Sequence, residues 1–527
     1  MLTRLADLGI RAPRRVLGIA ALFFVLAAAY GVSAAAHLSS GGFTDPSASS
    51  TKAATLLQQR FHTGDPNLIL EVTAPDSANS PDARTEGLAL VDALHSAQYT
   101  SAVASYWTAP RQAAATLISK DGKSALVLAR VAGDDGTAPK RVTDITAPLV
   151  GTHNGVTVTA GGQGTVFSQV NDQTTKDLAI AEAIAIPLTV IALIWVFGSF
   201  IAALLPLVVG LSSIIGTMAV LRAIASITDV SIYALNMTTA MGLALAIDYS
   251  LFIVSRYREE VRGGLAPDDA VRRTMQTAGR TVLFSALTVG LSLAAMLAFP
   301  LYFLRSFAYA GIAVVAFAAI AALAILPAVL TLLAGRHESL DVRAWLRRVL
   351  HRPEPMPKTV EESFWYRFAQ RVMARAVPVG IVVVALLVFV GLPFLHVKFG
   401  FPDQRVLPRS ASAYQVGQDV DTNFAANSAS TINVVIPKVG AAQGQIGGYA
   451  AQLSRVSGVL GVQSVAGEYA GGHRVGAGSA AMAADGSSYL VLATASDPQS
   501  AAAKQALSAV EAVPAPFHVW FGGQAAE

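Results

Sequence analysis

Apolar residues in this chain gather into seven long runs, near 16–36, 178–197, 201–221, 232–254, 281–300, 308–333 and 378–396. Each approaches or exceeds the roughly 20 apolar residues that carry a helix across a bilayer. Two long polar stretches, 37–177 and 397–527, interrupt them and carry a different pattern of short alternating runs. In the first stretch, 67–73, 124–131 and 156–159 read as strands, 102–107 as a weaker one, and 82–97 and 139–152 as helices. That order is β-α-β-β-α-β, the ferredoxin-like arrangement. The second stretch repeats it, with strands at 431–436, 460–465, 488–494 and 517–521 and helices near 441–455 and 498–511. The Gly/Ser/Ala-rich patch at 470–487 reads as a loop. The pattern therefore predicts an α-helical polytopic membrane protein with two α/β domains outside the bilayer.

Charge orients the spans. Only 14% of the 527 residues are charged, against about 25% in soluble domains. Arg4, Arg11, Arg14 and Arg15 precede the first span. Arg256, Arg258, Arg262, Arg272, Arg273 and Arg280 lie between the fourth and fifth. A third set, from Arg336 to Arg375, lies between the sixth and seventh. All three fall on one side, which the positive-inside rule assigns to the cytoplasm. The chain then divides into a cytoplasmic N-terminus with the first span (1–36), an exported α/β domain (37–177), a five-span bundle (178–335), a cytoplasmic loop with an interfacial helix (336–377), the seventh span (378–396) and a second exported α/β domain (397–527). Ser33-Ala34-Ala35-Ala36 resembles a signal-peptidase site, but the apolar run before it exceeds the usual 7–15 residues of a signal peptide. The net charge of +4 includes no basic domain suited to nucleic acid. Cysteine is absent, which excludes disulfides and thiolate chemistry.

The two halves share landmarks. Gly42-Phe43-Thr44-Asp45 follows the first span and Gly400-Phe401-Pro402-Asp403 the seventh, 358 positions on. Gly161-Gly162-Gln163 closes the first polar stretch and Gly522-Gly523-Gln524 the second, 361 positions on. Arg4-Leu5-Ala6 matches Arg367-Phe368-Ala369 at 363. Three matches in order at nearly one spacing indicate an internal repeat. By that spacing an eighth helix and four more should follow Gln524, so helices 8–12 are absent and the chain reads as an incomplete transporter.

The candidate chemistry is one acid in the fourth span. Asp248 follows Gly242, Ala244 and Ala246 and precedes Tyr249. A carboxylate at that depth costs roughly 2.5–3.5 kcal/mol, so such a residue ordinarily faces the bundle interior and marks an ion or proton path; the blander reading is a structural Asp bonded to a neighbouring helix. Tyr249 points about 100° away from Asp248 on a helix, so a donor must come from a facing helix. Ser285 and Thr288 in the fifth span are candidates for that role or for helix-packing contacts. The small residues before Asp248 are expected to pack. Glu182, near the outer end of the second span, is a second acid at membrane depth, expected to snorkel or to join a relay. Arg256, Arg258, Glu259 and Glu260 read as a cytoplasmic anchor with local ion pairs. Nine scattered histidines show no metal-ligand spacing. No P-loop and no nucleophile elbow occurs. Neither an enzyme, a cofactor nor a metal is expected.

The chain resembles the MMPL family (mycobacterial membrane protein large) of the RND superfamily. The resemblance rests on Gly42-Phe43-Thr44-Asp45-Pro46, on Gly161-Gly162-Gln163, on the helix from Gly242 through Asp248-Tyr249 to Arg256, Arg258, Glu259 and Glu260, and on the stretch from Gly279-Arg280 through Ser285 and Thr288 to Gly290. It implies an RND-like fold with porter-type exported domains and a proton-driven exporter of lipids or other hydrophobic molecules in a bacterial plasma membrane. It also implies that Asp248 and Tyr249 form half of a proton relay whose other half, on a tenth helix, has no counterpart here. The partners implied are a lipid or hydrophobic substrate, membrane lipids, and the missing C-terminal half or a second copy, with accessory membrane proteins left open. The alternative is a non-transporting scaffold or lipid-sensing module built on half of that architecture.

Overall fold

The computed structural model describes residues 2–333, 364–396, 403–424, 431–494, 500–523 and 526. The chain begins with α1 (Leu2–Arg11), an amphipathic helix, and α2 (Pro13–Gly31), the first span. The first sheet domain then runs α3 (Ser49–Phe61), β1 (Leu68–Thr73), α4 (Pro81–Ser96), β2 (Thr100–Ser105), the single turn α5 (Arg111–Ala114), β3 (Ser124–Val131), α6 (Ala138–Thr146), β4 (Gly151–His153) and β5 (Val156–Gly161). Its sheet has the order β2-β3-β1-β5-β4 and is antiparallel throughout. Alternation along β1 sends Leu68, Leu70 and Val72 to one face, where Leu90, Val91 and Leu94 of α4 and Val142 of α6 cover them. Ile69 turns to the opposite face. The helix expected over 139–152 stops at Thr146 because β4 follows. Asn154 and Gly155, both at positive φ, form the two-residue turn of the β4–β5 hairpin.

Helix α7 (Gln163–Phe197) runs unbroken from the sheet domain into the second span, so the boundary expected at 177/178 falls inside one helix. Then come α8 (Phe200–Ala225), α9 (Tyr233–Arg262), α10 (Pro267–Gln276), α11 (Ala278–Ala294) and α12 (Tyr302–Ile320), which passes through a π-turn at Ala321–Ile325 into α13 (Leu326–Leu332). Helices α8, α9 and α12 pack on one another, with α2 against α8 and α11 against α12. Close approach needs Gly242: a Cβ there would lie 2.8 Å from Ile214 of α8 and 3.2 Å from Val314 of α12. Ala246 is buried beside it, whereas Ala244 is exposed and takes no part in this contact. Helix α1 tucks against α10 and α13, and Asp7 pairs with Arg272 at 2.9 Å. An amphipathic helix, α14 (Phe364–Ala374), leads into the seventh span, α15 (Ala376–Gly391), whose surface is uncovered. Seven helices among the described residues are long and apolar enough to cross a membrane.

The second sheet domain runs α16 (Ser412–Asn423), β6 (Thr431–Ile436), α17 (Ile446–Leu453), β7 (Val459–Ser464), β8 (Gly467–Ala470), β9 (His473–Gly476), β10 (Ala483–Ala484), β11 (Ser487–Thr494), α18 (Ala501–Glu511) and β12 (Trp520–Gly522). Its main path is β12-β6-β11-β7-β8-β9. The patch 470–487, expected to be a loop, contains two short strands, β9 and β10. Gly471 and Gly472, both at positive φ, turn the β8–β9 hairpin, as a Gly-Gly pair does in a type I′ turn. The helix expected at 441–455 is shorter, because Gly440–Gln445 winds as a 3-10 helix first.

The repeat has a structural counterpart. A Cβ on Gly162 would meet the carbonyl of Asn67, just before β1, at 2.8 Å; one on Gly523 would meet that of Thr431, at the start of β6, at 2.5 Å. Both glycines have positive φ, so each closes its last strand against the entrance of its first. Gly400, Phe401, Pro402 and Gln524 lie outside the described residues. Ser412 follows Ser49 by 363 positions, so α3 and α16 are equivalent helices, and they exchange sheets. Ala53 and Leu57 of α3 bury against Val435 of the second sheet. Val416 and Val420 of α16 bury against Leu126 and Leu128 of the first. Polar ties follow the same exchange: Phe521 N–H donates to Ser49 Oγ at 3.0 Å, Arg60 to Ser487 Oγ at 2.6 Å, and Ser412 Oγ to the Ala160 carbonyl at 2.8 Å.

Candidate functional site

Helix α9 has two faces. Ala234, Thr238, Gly242, Ala246, Tyr249, Ile253, Val254 and Tyr257 are buried. Ala240, Ala244, Asp248, Phe252 and Ser255, spaced three or four apart, are exposed, which is one helix face. Asp248 therefore lies on the open side of the bundle, not in its interior as its sequence setting suggests. The reason is the helical period: Gly242 and Ala246 must face α8 and α12 for close packing, and Asp248 two residues beyond Ala246 is turned away from them. No hydrogen bond or ion pair reaches its carboxylate from the described residues.

Tyr249 is 5% exposed. Ser285 of α11 stands beside its hydroxyl, although that hydroxyl has no hydrogen-bond partner of good geometry. Thr288 donates to the Phe284 carbonyl of its own helix at 2.9 Å. The structure thus brings Asp248, Tyr249 and Ser285 into one neighbourhood, leaves Thr288 satisfied locally, and offers neither hydroxyl to Asp248. Glu182 is half-buried on α7, with one covered carboxylate oxygen that accepts no hydrogen bond.

At the basic end of α9, Arg256 pairs with Glu259 at 2.8 Å and Glu260 at 2.5 Å. Arg258 donates to the Phe197 carbonyl at 2.8 Å, where α7 ends and Gly198 turns with φ +72°. A cation at that carbonyl also suits the negative end of the helix dipole.

The Gly42-Phe43-Thr44 segment proves to be a joint between sheet and membrane. Three successive backbone N–H groups, of Gly42, Phe43 and Thr44, donate to one oxygen of Asp135 at 3.0, 2.8 and 3.3 Å. Asp135 follows β3. The Phe43 ring packs on Phe303 of α12, Tyr233 of α9 and Phe167 of α7, with centroids 4.7, 5.7 and 6.3 Å away. One short loop therefore ties the first sheet to the sheet-side ends of three membrane helices. Sequence reading found the loop but not Asp135, whose acid lies 93 positions from Gly42 with no motif of its own.

Seven apolar helices, an acid on the open face of one of them, and two sheet domains related by an internal repeat together define a polytopic membrane protein. The family model "MMPL family" matches residues 42–379, and the chain belongs to that family, a branch of the RND superfamily. It is 31% identical over 449 residues to "Probable trehalose monomycolate exporter MmpL3" of Mycobacterium leprae (strain TN), covering 80% of this chain and 47% of that protein. It is 33% identical over 430 residues to "Putative membrane protein SCO6666" of Streptomyces coelicolor, covering 80% and 58%. It is 33% identical over 245 residues to "Mycolic acid-containing lipids exporter MmpL11" of Mycolicibacterium smegmatis, covering 46% and 25%. The chain spans about half the length of the curated relatives it matches along most of its sequence.

Proposed function

We propose that this chain supplies the first bundle and both porter-type domains of a proton-driven exporter of lipids or lipid-like molecules. The observation that carries the reading is Asp248, an acid midway along a membrane-spanning helix, on a face that no described residue covers. Family membership supports it, as do relatives named for export of trehalose monomycolate and mycolic acid-containing lipids. The three basic clusters support an orientation with the N-terminus cytoplasmic and the sheet domains exported from a bacterial plasma membrane.

In this reading the open α9 face receives a second helical bundle, from a further segment or another copy. That bundle brings the donor the present helices withhold. A protonated Asp248 is tolerated in a dry interface; a charged one requires a donor or cation close by. Alternation between these states favours two helix arrangements in turn. Tyr249, buried beside Ser285, and the Phe43 joint carry a shift of α9 to the first sheet. No cofactor is required, since the proton is the coupling ion.

The test is export of a radiolabelled lipid by cells of the source organism carrying Asp248→Asn, with membrane levels checked by immunoblot. Loss of export at unchanged protein level is expected. Normal export by that variant would sink the proposal, and so would proton flux in reconstituted vesicles that is indifferent to Asp248.

A further inference from the structure

The two exchanged helices cover equivalent sheet faces, but one seam contains an acid pair. Glu71 sits on the central strand β1 and is only 7% exposed. Its strand neighbours across the sheet are Leu126 and Thr159. It shares its sheet face with Ile69, in the apolar seam made by Leu126, Leu128, Val416, Val420 and Phe424. From α16, Asp419 reaches the Glu71 carboxyl. In the second seam the matching positions are apolar. Val435 of β6 stands where Glu71 does in β1, because Leu68, Leu70 and Val72 match Ile432, Val434 and Ile436 in the two cores. Leu56 of α3 stands where Asp419 does in α16, 363 positions earlier, and both Leu56 and Val435 pack in one apolar cluster.

Two carboxylates cannot both be charged while buried against each other; one proton must be shared. The surroundings offer only a partial remedy. The hydroxyls of Thr73 and Ser124, 2.9 Å apart, both reach the Glu71 carboxyl and favour its charged form, but burial and Asp419 outweigh them. Lys120, in the loop before β3, donates its ammonium to the Thr422 carbonyl at 2.7 Å. Asp121 is held by Ser119. Arg130 of β3 donates to the Asp65 carbonyl at 3.1 Å. On α16, Asn423 donates to Asp419, and Asp421 accepts from Gln404 at 3.2 Å. No cation acts on Glu71 among the described residues.

We propose that Glu71 and Asp419 form a proton-binding site outside the membrane, separate from Asp248, which holds α16 on the first sheet when it carries its proton and loosens the helix when it loses it. Burial, then the facing Asp419, pushes the Glu71 carboxyl up to about 8 from its ordinary 4.5. The docked form therefore binds the proton more tightly than the open form. Docking is strongest in acid, weakens as pH rises from about 4.5 towards about 8, and is flat above. One linked proton changes the opening equilibrium by at most about tenfold per pH unit in that window. The site does not depend on the exporter reading, and its test does not measure export.

The experiment is hydrogen exchange of the intact chain in detergent from pH 5 to 9, read by mass spectrometry over residues 412–423 and corrected for the intrinsic pH dependence of amide exchange. The expected result is opening of α16 that grows severalfold to tenfold per pH unit across the middle of the range. Residues 49–61, under the apolar seam, should show no such slope. Glu71→Gln should flatten the α16 slope, and the double variant Glu71→Val with Asp419→Leu, which copies the second seam, should do the same. Three results would overturn the site: no slope in the parent chain, an equal slope in α3, or a slope that survives both variants. A slope abolished by millimolar calcium would also overturn it, by making the pair a cation site.

Discussion

The two seams of the sheet pair follow one plan and differ in whether an acid pair or an apolar pair faces across helix and strand. In the second, Leu56 and Val435 extend the cluster of Ala53 and Leu57, so the seam is held by burial that does not respond to pH. In the first, Glu71 and Asp419 replace them, and docking becomes conditional on a proton. Apolar pairs of similar volume commonly equal or exceed a buried polar pair in stability. The acid pair is therefore better understood as a means of letting α16 move than as a means of fastening it. The exchange also means that a change at the first seam would act on both domains, since α16 belongs by sequence to the second domain and by packing to the first.

The sharpest way to break this comparison is to transplant the pair. Leu56→Asp with Val435→Glu should destabilise the second seam by several kcal/mol at pH 8, since buried carboxylates without partners are costly. Part of that loss should return at pH 5, and thermal unfolding at the two pH values checks it. Equal destabilisation at both would mean that the loss comes from altered packing alone. Next in size, Leu57→Ala removes a side chain only 3% exposed from the pH-insensitive seam. It should cost about 2–5 kcal/mol, with the same loss across pH 5–8 in the same assay. Asp135→Ala leaves the N–H groups of Gly42, Phe43 and Thr44 without their acceptor. It should cost about 1–3 kcal/mol and raise amide exchange at 42–44 without affecting either seam. The smallest effect is expected from Arg256→Ala. Its two partners lie three and four residues on along the same helix, and such pairs contribute a few tenths of a kcal/mol each, about 1 kcal/mol together at most; a shift in melting temperature beyond a few degrees would show a larger role.

Some features that only the structure made plain were already legible. Asn154-Gly155 and Gly471-Gly472 are two-residue hairpin signals, and they account for β4 and for the β8–β9 hairpin inside a stretch read as loop. The exchanged helices also left a trace, in apolar residues four apart at Ala53 and Leu57 and again at Val416 and Val420, but too short a one to outweigh the polar residues around them. Asp135 left none, because an acid in a turn, here next to Asp134, looks the same whether it faces water or gathers three backbone donors. Asp248 was legible as a residue but not as a direction.

By itself the sequence determined the seven spans, the β-α-β-β-α-β skeleton of each sheet domain, the repeat, and the placement of an acid within the fourth span. These depend on local periodicity and on residue chemistry, which are properties of a segment taken alone. Only the tertiary structure decided which side of α9 faces the bundle, that α3 and α16 trade sheets, and that Glu71 meets an acid 348 positions away. Such choices depend on which surfaces dock, and a segment's own pattern records that it buries a face without recording what covers it.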